Sequence, residues 1–356
     1  MVLIGEHTLT KEEIDFITVN LPALHSHGVN LFAVEFLRAA DQTEIDHLMI
    51  APQFDQNLAS DLIFRSGPLW GYQEYLDLLK AAWKLNTEVA KGQLPFRVIG
   101  LAISLDFSLV KNEEEFKKPD VWHRILSGGI PDQEMAAKVL EVLGYAKNGT
   151  TASSGLTNGK VAKLLVYVRR MSAASRWGDG SYAEEMKSYG YEGEERMGKI
   201  LKARLGEALT SLIFYSPVPF HRTPFGESYP DNGLIDTVLT KLSPEKTSAM
   251  PVALDLTRSE FGRVDCSQTD LGLWASSHKK AMPVLKDLAD SIVIFSPIRR
   301  LHVMQPIPDF ANASNLAAAY KYLPAYMNHG AAGVAQLNDS VQQRLVDYRK
   351  VLDSFK

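Results

Sequence analysis

The sequence predicts an α/β fold, with a largely parallel central sheet, helices on both faces and long lid loops. Three observations carry this expectation. Short β-branched or apolar runs recur along the chain. Several are apolar at consecutive positions, as a strand covered on both faces must be. Longer amphipathic stretches separate them, which gives the alternating order of an α/β chain.

The strand candidates are VLI at 2–4, NLFAVEF at 30–36, RVIGLAI at 97–103, KLLVYV at 163–168, SLIFYS at 211–216, PVALDL at 251–256 and SIVIFS at 291–296. In GYQEYLDLLKAAWKL, Tyr72, Tyr75, Leu76, Leu79, Ala82 and Trp83 share one helical face. In PDQEMAAKVLEVLG, Pro131 suits a first turn and Gly144 a C-terminal stop. ERMGKILKARLG places Met197, Ile200, Leu201 and Leu205 on one face and ends at Gly206. A last helix is expected to start at Asp339 as N-cap and to bury Val341, Leu345, Tyr348 and Leu352.

The 356 residues suit one α/β domain, 1–356, with lid-like insertions at about 176–193 and 215–233. Both insertions follow strand candidates, and in a parallel sheet such loops border the ligand crevice. The stretch 147–159 is small and polar, as surface loops are.

A net charge of -4 gives no reason to expect a nucleic-acid or anionic-membrane partner. The single cysteine, Cys266, allows no internal disulfide. There is no signal-peptide pattern and no apolar run of spanning length. The expectation is a soluble, cytoplasmic protein acting on a small-molecule ligand, with non-classical export or a removed leader left open.

G-x-G-x-x-G, Walker, H-E-x-x-H, G-x-S-x-G and C-x-x-C motifs are all absent, which counts against the standard enzymes that carry them. What remains is polar residues at strand ends. Glu6 and His7 follow VLI, and Glu35 sits among apolar neighbours, where a carboxylate is costly unless paired or ligating. Arg38 lies three residues on, as a partner for Glu35. Asp106, Arg169, Arg170, Ser172 and Asp255 also stand at strand ends, which parallel strands would bring to one rim. Such a cluster can bind a divalent metal, with His7 and Glu35 as ligands, and activate water. Alternatively His7 is a metal-free general base, with Arg38 or Arg169 holding an oxyanion. Each residue also has a plainer reading: an ion pair for Glu35, a turn for His7, N-caps for Asp106 and Asp255.

The opening strand with its Gly-Glu and nearby His, followed by GVNLFAVEFLRAADQTEID, resembles a known superfamily. It unites erythromycin-esterase-like proteins, ChaN-like haem-uptake lipoproteins and TIKI-type metalloproteases. WGYQEYLDLLKAAWKLN with RVIGL, and KLLVYVRR through RMGKILKARLGEALTSLIFYS, continue the likeness to about residue 216. The resemblance implies functional roles for Gly5, Glu6, His7 and Glu35. Two departures stand out. Glu6 and His7 are adjacent, where members space them by one or two residues, so their side chains should diverge. VRRMSAAS also stands where esterase-like members carry a histidine motif.

Three readings follow. The first is a hydrolase of an ester or amide bond, with Glu6, His7, Glu35, Arg38 and Arg169 catalytic and Asp106, Ser172, Tyr215 and His221 binding the ligand. The second is a non-enzymatic binder of haem or another small ligand through lid residues such as Tyr215 and His221. The third is a degenerate scaffold or secreted effector.

Overall fold

The computed structural model describes residues 1–88, 95–145, 163–178, 180–193, 195–217, 233–241, 251–267, 275–315, 321–322 and 331–355. The chain runs β1 (Val2–Glu6), α1 (Lys11–Ser26), β2 (Val29–Arg38), α2 (Gln42–Ile50), α3 (Gln56–Ser66), α4 (Gln73–Glu88), β3 (Arg97–Ala102), α5 (Pro119–Ile125) and α6 (Pro131–Val142). It continues with β4 (Lys163–Arg169), α7 (Arg170–Ala173), α8 (Gly180–Ser188), α9 (Met197–Leu205), β5 (Thr210–Phe214) and α10 (Leu234–Lys241). The last elements are β6 (Val252–Asp255), α11 (Leu285–Leu288), β7 (Ser291–Ile294) and α12 (Ala331–Ser354).

All seven anticipated strands form, and they make one sheet in the order β3-β2-β4-β1-β5-β7-β6. β1 lies near the middle, parallel to β4 and β5. β2, β3 and β7 run the same way.

β6 instead pairs with β7 antiparallel, placing Asp255 opposite Ser291 at the start of β7. This overturns the expectation that Asp255 joins the rim formed by the C-terminal ends of the other strands. Its Oδ1 accepts hydrogen bonds from the Thr257 and Arg258 amides, so it caps a turn at the opposite end.

Alternation along the strands divides the core in two. Ile4, Phe32, Val34, Leu165 and Tyr167 pack with α1–α4, α10 and α12 on one face. Leu3, Ala33, Leu164, Val166 and Val168 pack with α6, α7 and α9 on the other. The last helix begins eight residues before the expected Asp339. Leu337 already joins its buried stripe, and the Asn338 side chain bonds both the amide and carbonyl of Ala311 instead of ending the helix.

Two glycines let α7 sit close under the rim. A Cβ on Gly5 would lie 2.9 Å from both Ala173 Cβ and Arg170 Cα. One on Gly198 would lie 2.5 Å from the Ala173 and Ala174 carbonyl oxygens. The Gly-Glu at the end of β1 and the Met-Gly opening α9 thus clamp the same short turn from two sides.

Candidate functional site

β1 ends in Glu6 on the same face as Ile4, so its side chain enters the layer between the sheet and α4. Tyr75 of α4 donates to Glu6 Oε1 at 2.8 Å. The Tyr167 hydroxyl of β4 also faces this carboxyl and lowers its pKa, but neither Tyr167 Oη nor Glu6 Oε2 makes a well-formed hydrogen bond. Burial raises the Glu6 pKa from 4.5 to about 8, against the pull of the two tyrosines, and Glu13 and Glu35 add repulsion. Glu6 is therefore mostly protonated at neutral pH.

His7 leaves the strand end in another direction, as adjacency requires, and its ring lies 5.3 Å from that of Tyr348 on α12. Its Nδ1 is buried without a hydrogen-bond partner. Burial, with the positive charges of Arg170 and Arg344, holds its pKa well below 6.5, so the imidazole is neutral.

Glu13, on the first turn of α1, is the member that sequence reasoning missed. Its Oε2 accepts the His7 amide at 2.5 Å and its Oε1 accepts the Ser216 hydroxyl at 2.5 Å. Ser216 in turn receives Arg170 through its carbonyl at 3.3 Å and its hydroxyl at 2.5 Å. Burial raises Glu13 to about 7, opposed by Arg170 and these hydrogen bonds. The signal was present: Glu13 lies at i, i+4 and i+8 with Ile17 and Leu21 on the buried stripe of α1.

Glu35 and Arg169 form the second part. The Arg169 amide donates to Glu35 Oε2 at 2.8 Å and its Nε to Oε1 at 2.6 Å. The partner of Glu35 is thus Arg169 and not Arg38, whose guanidinium is turned onto Asp41 by two 2.7 Å bonds and onto Tyr322. Arg169 faces Glu6 across the β1–β4 ladder. The strand end therefore divides two consecutive arginines: Arg170 inward to Glu13 and Ser216, Arg169 outward to Glu35 and solvent.

The other named residues make contacts of their own. Asp106 caps the turn Phe107–Leu109 through the Ser108 amide and hydroxyl. Ser172 is buried on α7. Tyr215 donates to Asp236 Oδ2 at 2.5 Å, beneath α10. His221 falls outside the described residues, as does most of the 215–233 insertion. The 176–193 insertion docks on α5, stacking Tyr189 on Trp122 at 3.9 Å and Tyr191 on His123 at 4.5 Å.

As for a metal, His7 and Glu35 do not share a described binding group. Both Glu35 oxygens are engaged by Arg169. Among the described residues, no three His, Cys, Asp or Glu side chains come together as a metal ion requires. No described helix is long and apolar enough to cross a membrane.

No protein-family model and no curated protein matches the chain. Solved structures do. A Bacillus cereus protein is 13% identical over 83% of this chain and 89% of its own, at a TM-score of 0.42. A succinoglycan biosynthesis protein is 13% identical over 86% and 88%, at 0.44. ChaN of Campylobacter jejuni, described for cofacial haem binding, is 13% identical over 60% and 80%, at 0.31. At these scores no functional statement rests on the likeness.

Proposed function

We propose that the chain hydrolyses an ester or amide bond of a small ligand by metal-free proton transfer, with His7 as general base and Glu6 as general acid. The observation that supports this reading is the pair of orphaned buried atoms, Glu6 Oε2 and His7 Nδ1, at adjacent positions of one strand end. Buried polar atoms are nearly always satisfied, and exceptions gather where chemistry is done. Their environments set the starting proton positions. The imidazole is neutral with Nδ1 open to a proton, although burial and the neighbouring arginines weaken it as a base. The carboxyl is protonated and able to donate.

In the reaction His7 takes a proton from water as the water oxygen bonds to the ligand carbonyl carbon. The Glu6 proton meets the negative charge that develops and passes to the leaving group as its bond to that carbon breaks. Proton return from the imidazolium to Glu6, through water, restores the site. Glu13 orients His7 through its amide, and Arg169 is the cation that faces the ligand. Both orphaned atoms are closed off from solvent, so ligand entry must open the rim.

The haem-binding alternative gains nothing from Tyr215, whose hydroxyl is committed to Asp236. Turnover of nitrophenyl esters and anilides tests the hydrolytic reading. Glu6→Gln and His7→Ala should each lower turnover by about 10²–10⁴-fold. Wild-type activity should fall as pH rises through about 8, where Glu6 loses its proton. Unchanged turnover in His7→Ala would sink it.

A further inference from the structure

We infer that Arg169 is a receptor for an oxyanion group on the ligand, a carboxylate or a phosphate-like group, lying beside the bond to be cleaved. This deepens the hydrolytic reading and rests on it for the ligand's fate, though not for its capture. The first argument is geometric. Glu35 braces Arg169 from behind, taking its amide and its Nε, and this leaves both Nη groups without a partner among the described residues. A guanidinium fixed at Nε presents its outer fork in a set direction, the geometry that binds a carboxylate or phosphate through two parallel hydrogen bonds.

The second argument is exposure. The Arg169 side chain is 52% exposed while Glu35 is only 5% exposed. The Glu35 carboxylate beside it raises the Arg169 pKa and holds the guanidinium charged, so a half-exposed cation stands over a buried carboxylate. By contrast, Arg38 spends its fork on Asp41, Arg65 on Glu44 and Arg97 on Asp46.

The third argument is charge. The acidic groups that act on Arg169 are Glu35 of β2, Asp132 of α6 and Glu6 of β1. Glu35 is the brace itself. Asp132 is held by Arg196 and by the Met197 amide. Glu6 is mostly neutral below about pH 8. An anion therefore meets little uncompensated repulsion at neutral pH and one new negative neighbour above pH 8. Because Glu6 and Arg169 are register partners on adjacent strands, an anion on the fork sets the rest of the ligand toward Glu6.

Calorimetric titration of the full chain with sulfate and with benzoate, at constant ionic strength, tests the inference. Both probes stay ionised from pH 6.5 to 9, and their comparison separates a phosphate-like from a carboxylate preference. Arg169→Gln should weaken binding at least about 10-fold, Arg169→Lys should also weaken it by losing the fork, and Arg97→Gln on the opposite rim should not. Wild-type affinity should fall several-fold between pH 7 and 9, and Glu6→Gln should abolish that fall. If the substituted chains fail to fold, the Arg169 Nη nitrogen resonances of wild type supply the readout, and they should shift on adding either probe.

Equal affinity in wild type and Arg169→Gln, or unmoved Nη resonances, overturns the inference. Arg169-dependent binding with no ester turnover sustains it and defeats the hydrolytic reading. Turnover of neutral nitrophenyl acetate at the same kcat/KM as anionic mono-nitrophenyl succinate, unaltered in Arg169→Gln, defeats the anion site and leaves hydrolysis standing.

Discussion

Asp41 and Glu6 are both buried carboxyls, 5% and 2% exposed, yet they are treated in opposite ways. Asp41 has both oxygens paired: Oδ1 accepts from Arg38 at 2.7 Å and Arg65 at 3.0 Å, and Oδ2 accepts from Arg38 at 2.7 Å. Glu6 has Tyr75 bonded to Oε1 and, with Tyr167 only facing the carboxyl, no well-formed hydrogen bond on Oε2. Among the described residues no cation bonds it: Arg169 gives Nε to Glu35 and keeps its fork free, and Arg170 gives its guanidinium to Ser216. A chain that can surround Asp41 with two guanidinium groups could have done so for Glu6. The difference separates a carboxylate that ties segments together from a carboxyl held protonated at a cost, and substitution at each should produce opposite results.

Glu6→Gln carries the largest expected effect. Turnover should fall by about 10²–10⁴-fold, while stability at pH 9 should rise. Because burial lifts Glu6 from 4.5 to about 8, the folded chain holds this proton more tightly than the unfolded chain does. That contribution is complete below about pH 4.5 and is lost as pH rises through about 8. Glutamine cannot ionise, so the variant escapes a loss on the order of 5 kcal/mol at pH 9. Thermal melts across pH 5–9 check this. A variant no more stable at pH 9 than wild type would mean that Glu6 is not held protonated.

Asp41→Asn should do the reverse, lowering stability by about 2–4 kcal/mol because two partly buried guanidinium groups lose their counter-charge. The folded fraction should keep its kcat/KM within about twofold. Denaturant titration and initial rates on the same preparation separate these outcomes.

Much of the fold was legible because strand burial is written in short apolar runs, and all seven were read. The direction of β6 was not, since VALD looks the same in a parallel or antiparallel strand, and so Asp255 was assigned to the wrong rim. At the candidate site, Glu6, His7 and Glu35 were singled out because polar residues stand out at the ends of apolar runs. The divergence of their side chains followed from adjacency alone. Glu13 was missed because an acidic residue in a first helical turn usually serves the helix dipole, although its i, i+4 spacing to Ile17 marked it as buried. The sequence RR at 169–170 does not say which arginine turns inward. That choice depends on α7 closing against Gly5 and Gly198, a long-range contact.

This contact supplies the third effect. In Gly198→Ala the new methyl carbon would meet the Ala173 and Ala174 carbonyl oxygens at 2.5 Å, so α9 or α7 must shift. Stability should fall by about 1–3 kcal/mol, and turnover several-fold, because α7 carries Arg170 into the Glu13–Ser216 network. Urea unfolding with parallel rate measurements checks both. Loss of stability with full turnover would show that the placement of α7 is structural only.

Tyr75→Phe is the smallest change and tests the contrast most directly. Phenylalanine keeps the packing of this ring on Phe36 at 4.4 Å and on Trp70 at 6.0 Å, and removes only the donor to Glu6 Oε1. That donor lowers the Glu6 pKa, so its loss should move the pKa above about 8 and carry the alkaline limb of the pH–rate profile upward with it. Folding stability should change by only about 1–2 kcal/mol, the usual effect of orphaning one buried acceptor. A carboxyl-carbon NMR titration of Glu6 beside the pH–rate profile reads both quantities independently. If the carboxyl titration moves and the rate profile does not, Glu6 is a strained carboxyl without a part in proton transfer, and its unpaired oxygen needs another explanation.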